Sequence, residues 1–297
     1  MSTINLFENL IFPHSQEEFF DAYWEKQPLY IERNNPDLYS DLLSKESIEQ
    51  LIASTELEYP YLRLAKDNKI LPPGEFTNHA KKVIAGHVFS LHSQGATINL
   101  NQLDKLWKPV GYLCRHLEML YSHSFQANAY QTPANSQGFS VHYDTHEVFV
   151  LQISGTKKWT IYESQIEYPI PMLKRSLTEP LAPTPAMMEL ELKPGDLLYV
   201  PRGFPHNART ADSSSLHITL LSPTLTWGEL AVRVVGRSWK MADYRQSIPV
   251  GFASNDFPLD QLQNDLAEKL VEFARSEEFR KYLEDAIEKY TTTPATL

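Results

Sequence analysis

Two histidines and one aspartate carry the most chemical content in this 297-residue chain. His142 and Asp144 are separated by one residue, and His206 closes the segment Pro201-Arg202-Gly203-Phe204-Pro205-His206 further on. Residues two apart on a strand project to the same side, so His142 and Asp144 would stand together with Tyr143 turned away. Two imidazoles and a carboxylate fill one face of an octahedral ferrous ion and leave three positions for an oxidant and oxygen. Manganese and other divalent ions suit the same ligands, and ligand type alone does not choose among them. A His-x-Asp pair in a chain with ten histidines is a weak signal by itself. Its weight depends on the company it keeps.

Lys157 belongs to that company. Alternation along Lys157-Lys158-Trp159-Thr160-Ile161-Tyr162 puts Lys157, Trp159 and Ile161 on one face. An ammonium inside a barrel needs an anion, which a dicarboxylate would supply; the alternative is a lysine that snorkels at the rim. His146 shares the face of His142 and Asp144, but a fourth protein ligand would consume a position the chemistry needs, so it is expected beside the ligands or at the rim. His217 is in phase with Thr219 and is expected to be a hydrogen-bonded barrel histidine. Cys114 reads as a small buried hydrophobe.

These residues need a scaffold, and the pattern of the chain predicts one. Ser15 with Glu18, Ser47 with Gln50, and Thr226 with Glu229 read as capping boxes opening helices. A further helical stripe runs through Leu103, Leu106, Leu113, Leu117 and Leu120, divided or kinked at Pro109. From about Ala127 the period changes. Val148–Ile153, Lys157–Tyr162 and Leu197–Val200 are short β-prone runs bounded by turn residues, predicting a series of antiparallel strands that brings His206 beside the first pair. Pro169 to Pro185 reads as a long loop over the sheet. After Pro223, Leu259, Leu262, Leu266, Leu270 and Phe273 form an amphipathic stripe, and a last helix follows Ser276. The fold class is mainly β with helical flanks (α+β). Residues 1–222 form the site-bearing domain and 223–297 a helical region that packs back on it or pairs with its copy.

The composition narrows the function classes. Lys plus Arg total 27 against 37 Asp plus Glu, and the net charge of −10 argues against direct nucleic-acid binding and would suit a basic partner. One cysteine excludes an intramolecular disulfide and a thiolate zinc cluster. No signal peptide or run of about 18 apolar residues is visible, so a cytoplasmic protein without a membrane span is expected.

Several ordered segments closely resemble the Jumonji C ribosomal oxygenases: Asn128–Pro133, Ser136–Phe139, His142–Gln152, Gly155–Trp159 and Pro194–His206, with Tyr23–Leu29 resembling the family's opening segment. The resemblance covers roughly residues 15 to 222. It implies a double-stranded β-helix (cupin/Jumonji) core with Fe(II) held by His142, Asp144 and His206, and 2-oxoglutarate as cosubstrate. Lys157 would pair with its distal carboxylate, Thr219 would assist, and Asn128 and Tyr130 would lie near cosubstrate and substrate. The implied activity is hydroxylation of a protein side chain, in a ribosomal protein by family analogy, and Lys157 resembles the histidyl-hydroxylating branch. The residues after Pro223 would supply a helical dimerisation segment but not the winged helix usual in the family. A natural-product precursor peptide or small metabolite as substrate, and a non-enzymatic cupin binding protein, stand as alternatives.

Overall fold

The computed structural model describes residues 6–171, 184–252 and 258–291. The chain separates into two compact units, one running to Pro223 and the other spanning Thr224–Ala295. Most of the proline-rich stretch expected as a loop lies outside the described residues.

In the first unit the strands are β1 (Leu29–Ile31), β2 (Leu62–Lys66), β3 (Lys69–Ile70), β4 (Thr97–Leu100), β5 (Gln126–Thr132), β6 (Glu147–Gly155), β7 (Lys157–Tyr162), β8 (Ala186–Leu192), β9 (Leu197–Val200), β10 (His206–Arg209) and β11 (Ser215–Ser222). They form an antiparallel sheet of order β1-β9-β6-β11-β5-β4-β2-β3 and a second of order β10-β7-β8. Although consecutive in the chain, β6 and β7 do not pair with each other. The chain leaves the large sheet at Gly155 and enters the small one. Gly155 has φ +63, and a Cβ there would stand 1.7 Å from the Ser214 carbonyl oxygen, so this crossing requires glycine.

From Val148 to Ile153 β6 is apolar except for Gln152, because both of its faces are covered. Val148 and Val150 pack with Trp159, Ile161, Leu192, Leu198 and Val200 between the two sheets. Phe149, Leu151 and Ile153 point the other way, into a larger core built with the helices. The same division splits β9, with Leu198 and Val200 inward and Leu197 and Tyr199 outward. Each such buried side chain contributes about 1.5–3 kcal/mol.

The flanking helices are α1 (Leu6–Ile11), α2 (Gln16–Ala22), α3 (Lys45–Ser54), α4 (Ala85–Ser93), α5 (Leu103–Leu106) and α6 (Lys108–Tyr121). Ser15 caps α2 as expected, its hydroxyl accepting from the Glu18 amide, while the Glu18 carboxylate takes the His14 ring at 2.8 Å. The cap of α3 is Ser44 rather than Ser47: the Ser44 hydroxyl accepts from the Ser47 amide and starts the helix three residues earlier. Pro109 divides the leucine stripe, sitting in the first turn of α6 where its missing N–H costs nothing. The second unit holds α7 (Trp227–Ser238), α8 (Leu259–Ala274) and α9 (Glu277–Thr291). The Thr226 and Glu229 capping box is complete, and Phe273 and Phe279 meet at 5.8 Å between ring centres.

Candidate functional site

Site chemistry begins just before β6. His142 and Asp144 do not lie on a regular strand, contrary to the alternation argument; His142 makes an isolated bridge to His206 at the start of β10. The His142 amide donates to the His206 carbonyl at 3.2 Å and the His206 amide donates back at 2.8 Å. The Gly203 amide donates to the Asp144 carbonyl at 2.9 Å. These three backbone bonds clamp the two ligand-bearing segments together. Gly203 has φ +88, and a Cβ would lie 2.4 Å from the Ile166 carbonyl oxygen, so this clamp too needs glycine. The Tyr143 side chain is buried.

His142, Asp144 and His206 each offer a ligand atom within 4.8 Å of the others, the one such trio of histidine, cysteine and acidic residues among the described residues. Both imidazoles are oriented by backbone. Nδ1 of His142 donates to the Ser140 carbonyl at 2.8 Å, and Nδ1 of His206 donates to the Phe204 carbonyl at 3.0 Å. That fixes the tautomer and leaves each Nε2 lone pair for a metal. His206 is held neutral, its pKa pushed down to about 4 by burial and by the neighbouring His142. This donor set fits a divalent ion of the ferrous type. His146 Nε2 stands 3.8 Å from Asp144 Oδ1, beside the trio and outside it.

The trio opens into a cavity of about 660 Å³ that also takes in Lys157, Thr219, Asn128 and Tyr130. Every residue singled out from the sequence for cosubstrate or substrate is therefore in one place. Lys157 is buried, and its ammonium donates to the Thr132 hydroxyl at 3.1 Å. Among the described residues no carboxylate pairs with it. Burial alone pushes its pKa from 10.5 down to about 7. A buried amine with no counter-charge fits an incoming carboxylate, which would restore its proton. Thr219 lies opposite Asn128, and His217 opposite Tyr130, across the β11–β5 pair. The His217 ring stacks on Tyr130 with centres 5.0 Å apart. Its Nδ1 has no hydrogen-bond partner among the described residues, so the expected hydrogen-bonded histidine is instead a neutral ring held by stacking.

Two parts of the site escaped the sequence. Arg63, Lys69 and Asn99 line the cavity from β2, β3 and β4, which the sequence had not shown as strands. The alternation in Leu62-Arg63-Leu64 and Ile98-Asn99-Leu100 was the available signal. Behind the ligands, Arg202 reaches Glu25 at 2.5 Å and Glu147 at 3.6 Å, and the Tyr199 hydroxyl donates to Glu147 at 2.5 Å. Trp24 stacks on Tyr199. The Tyr23–Leu29 segment is thus fastened to the strand that leads out of Asp144 and to the turn that leads into His206.

Residues 105–230 match the JmjC domain family. A bifunctional lysine-specific demethylase and histidyl-hydroxylase of Aedes aegypti is 36% identical over 216 residues, 71% of this chain and 33% of the relative. Ribosomal oxygenase 1 of Gallus gallus is 30% identical over 291 residues, 91% of this chain and 48% of the relative. The chain thus spans a third to a half of the length of these two relatives. A solved structure of the Escherichia coli ribosomal oxygenase YcfD, in complex with cobalt and 2-oxoglutarate, is similar with a TM-score of 0.65 at 19% identity, over 93% of this chain and 71% of that one. This likeness gives the fold, in keeping with the antiparallel core and flanking helices.

Proposed function

Since the chain belongs to the JmjC-domain family, we propose that it is an Fe(II)- and 2-oxoglutarate-dependent oxygenase that hydroxylates a side chain of a protein substrate. The observation that carries this is the pairing, in one cavity, of the His142, Asp144 and His206 donors with the buried Lys157 ammonium, which meets no carboxylate among the described residues. Iron bound there would activate oxygen, with 2-oxoglutarate as the co-reductant converted to succinate and carbon dioxide.

The residues of the chain supply the rest. Ser140 and Phe204 carbonyls hold the two imidazoles in the ligating tautomer. Lys157 receives the distal carboxylate, with the Thr132 hydroxyl holding its position and Thr219 facing the same cavity. Trp159 lies 5.9 Å from the His206 ring and 5.7 Å from His217, an apolar wall that limits water beside the ligands. Asn128 and Tyr130 line the same cavity and would lie near cosubstrate and substrate. Burial raises the Tyr130 hydroxyl to about 12, so it stays a neutral donor rather than a base.

A ribosomal protein is the substrate we favour, supported by the names of the relatives, two of which are a histidyl-hydroxylase and a ribosomal oxygenase. A cytoplasmic homodimer formed through α7, α8 and α9 completes the proposal; among the described residues no helix is long and apolar enough to cross a membrane. The test is intact-mass analysis of ribosomal proteins incubated with the purified chain, ferrous iron and 2-oxoglutarate. One protein should gain a single oxygen as succinate forms, and the Asp144→Ala variant should give neither product. No succinate with any substrate, together with unchanged iron binding in Asp144→Ala, would remove the proposal.

A further inference from the structure

One row of side chains crosses the large sheet beneath the cavity, and its outer end is a cation. Antiparallel register sets Arg63 opposite Asn99, Asn99 opposite Tyr130, and Tyr130 opposite His217. All four line the cavity. Three of them hold a buried polar atom without a hydrogen-bond partner among the described residues: Nε of Arg63, Oδ1 of Asn99 and Nδ1 of His217. A buried donor left unmade costs free energy unless a ligand supplies the acceptor.

The Arg63 guanidinium stands 6.0 Å from the Tyr59 ring centre and meets no carboxylate among the described residues. Asp144 is the one carboxylate among the described residues that line the cavity, and it stands with the proposed metal ligands. Lys69 lines the same rim, so the mouth is basic in a chain of net charge −10. A guanidinium offers paired N–H groups that a carboxylate takes with two parallel hydrogen bonds.

We propose that Arg63 is a specificity residue that receives a carboxylate of the substrate, an Asp or Glu side chain close to the residue being oxidised. The inference rests on the protein-hydroxylase reading above and adds the sign of the charge the site selects. The basic partner suggested by overall charge is compatible only if the segment entering the cavity is locally acidic. A free small carboxylic acid presents the same group, and the test separates the two sources.

The full chain, loaded with Mn(II) and saturating 2-oxoglutarate so that no turnover occurs, is offered a pool of randomised hexapeptides acetylated and amidated at their ends. Retained peptides are sequenced by mass spectrometry, and N-acetylglutamate is titrated in parallel. Asp- or Glu-containing peptides should be enriched by the parent chain. Arg63→Gln should weaken that preference about tenfold or more, the scale of a lost charge-assisted hydrogen bond, and Arg63→Lys should keep part of it. Binding of 2-oxoglutarate should be the same in all three proteins. Arg63-dependent binding of N-acetylglutamate alone would support the carboxylate assignment with a free acid as its source. No acidic preference, an equal preference in Arg63→Gln, or no binding of any peptide or acid while 2-oxoglutarate is bound would overturn this inference alone. Failure of the parent chain to bind 2-oxoglutarate would overturn the oxygenase reading first, and this inference with it.

Discussion

Replacing Lys157 with methionine should make the protein without cosubstrate more stable while it abolishes the response to 2-oxoglutarate. The ammonium is buried, bonded to the Thr132 hydroxyl and unpaired by any carboxylate among the described residues. Its pKa falls from 10.5 to about 7. At about 1.4 kcal/mol per pH unit, the ceiling on the cost of burying this group is about 5 kcal/mol at neutral pH. Methionine fills similar volume without a charge, and half of that ceiling would raise Tm by about 5 °C or more. The sign with pH is definite. A lysine with a depressed folded pKa imposes no penalty above 10.5; the penalty grows as pH falls toward 7 and is level below. The advantage of Lys157→Met should therefore be largest at and below pH 7 and should vanish near pH 10.5. The assay is thermal unfolding across that range, with and without 2-oxoglutarate. A variant less stable than the parent at pH 7, or one that 2-oxoglutarate still stabilises, would refute the assignment of Lys157 as an anion receptor.

Three further outcomes follow from the same geometry. The dissociation constant of 2-oxoglutarate for the Mn(II) protein, followed by calorimetry, should be level below about pH 7 and weaken about tenfold per pH unit above it, because binding must then return a proton to Lys157; affinity unchanged to pH 9 would count against it. Burial raises the Glu147 carboxyl to about 7 despite the Tyr199 hydrogen bond, so the contribution of Glu147 to stability falls as pH rises from 4.5 to 7. Urea titrations should show Glu147→Gln gaining on the parent by up to about 1.4 kcal/mol per pH unit over that window and no further above it; a constant difference would contradict this. Gly203→Ala should displace the Asp144 clamp and weaken Mn(II) binding, measured by electron paramagnetic resonance, by about tenfold or more, whereas parent-like affinity would show that the clamp does not position the ligands.

How much of this was legible depended on where the signal lived. The strands of the core announced themselves because Val148 to Ile153, apolar but for Gln152, and Leu197 to Val200 are buried on both faces. Lys157 was legible because Trp159 and Ile161 share its face and burial alternates along β7. His142, Asp144 and His206 come together, but not by the strand alternation that was expected. His142 and Asp144 meet His206 through a single bridge and the Gly203 hydrogen bond, long-range backbone contacts that no local period encodes. β2, β3 and β4 are five residues or fewer, too short for alternation to stand out between helices, and Arg63 and Asn99 were lost with them. The start of α3 moved because Ser44 and Ser47 both suit a cap, and the structure uses the first.

The proposed activity rests on one arrangement, a metal on His142, Asp144 and His206 with a dicarboxylate running to Lys157. The most direct measurement is an anomalous difference map from crystals of the full chain grown with Mn(II) and 2-oxoglutarate. A single strong peak among the His142 Nε2, Asp144 and His206 Nε2 atoms, with cosubstrate density ending at the Lys157 ammonium, is the predicted result. A peak elsewhere, or a carboxylate density that ends away from Lys157, would contradict it.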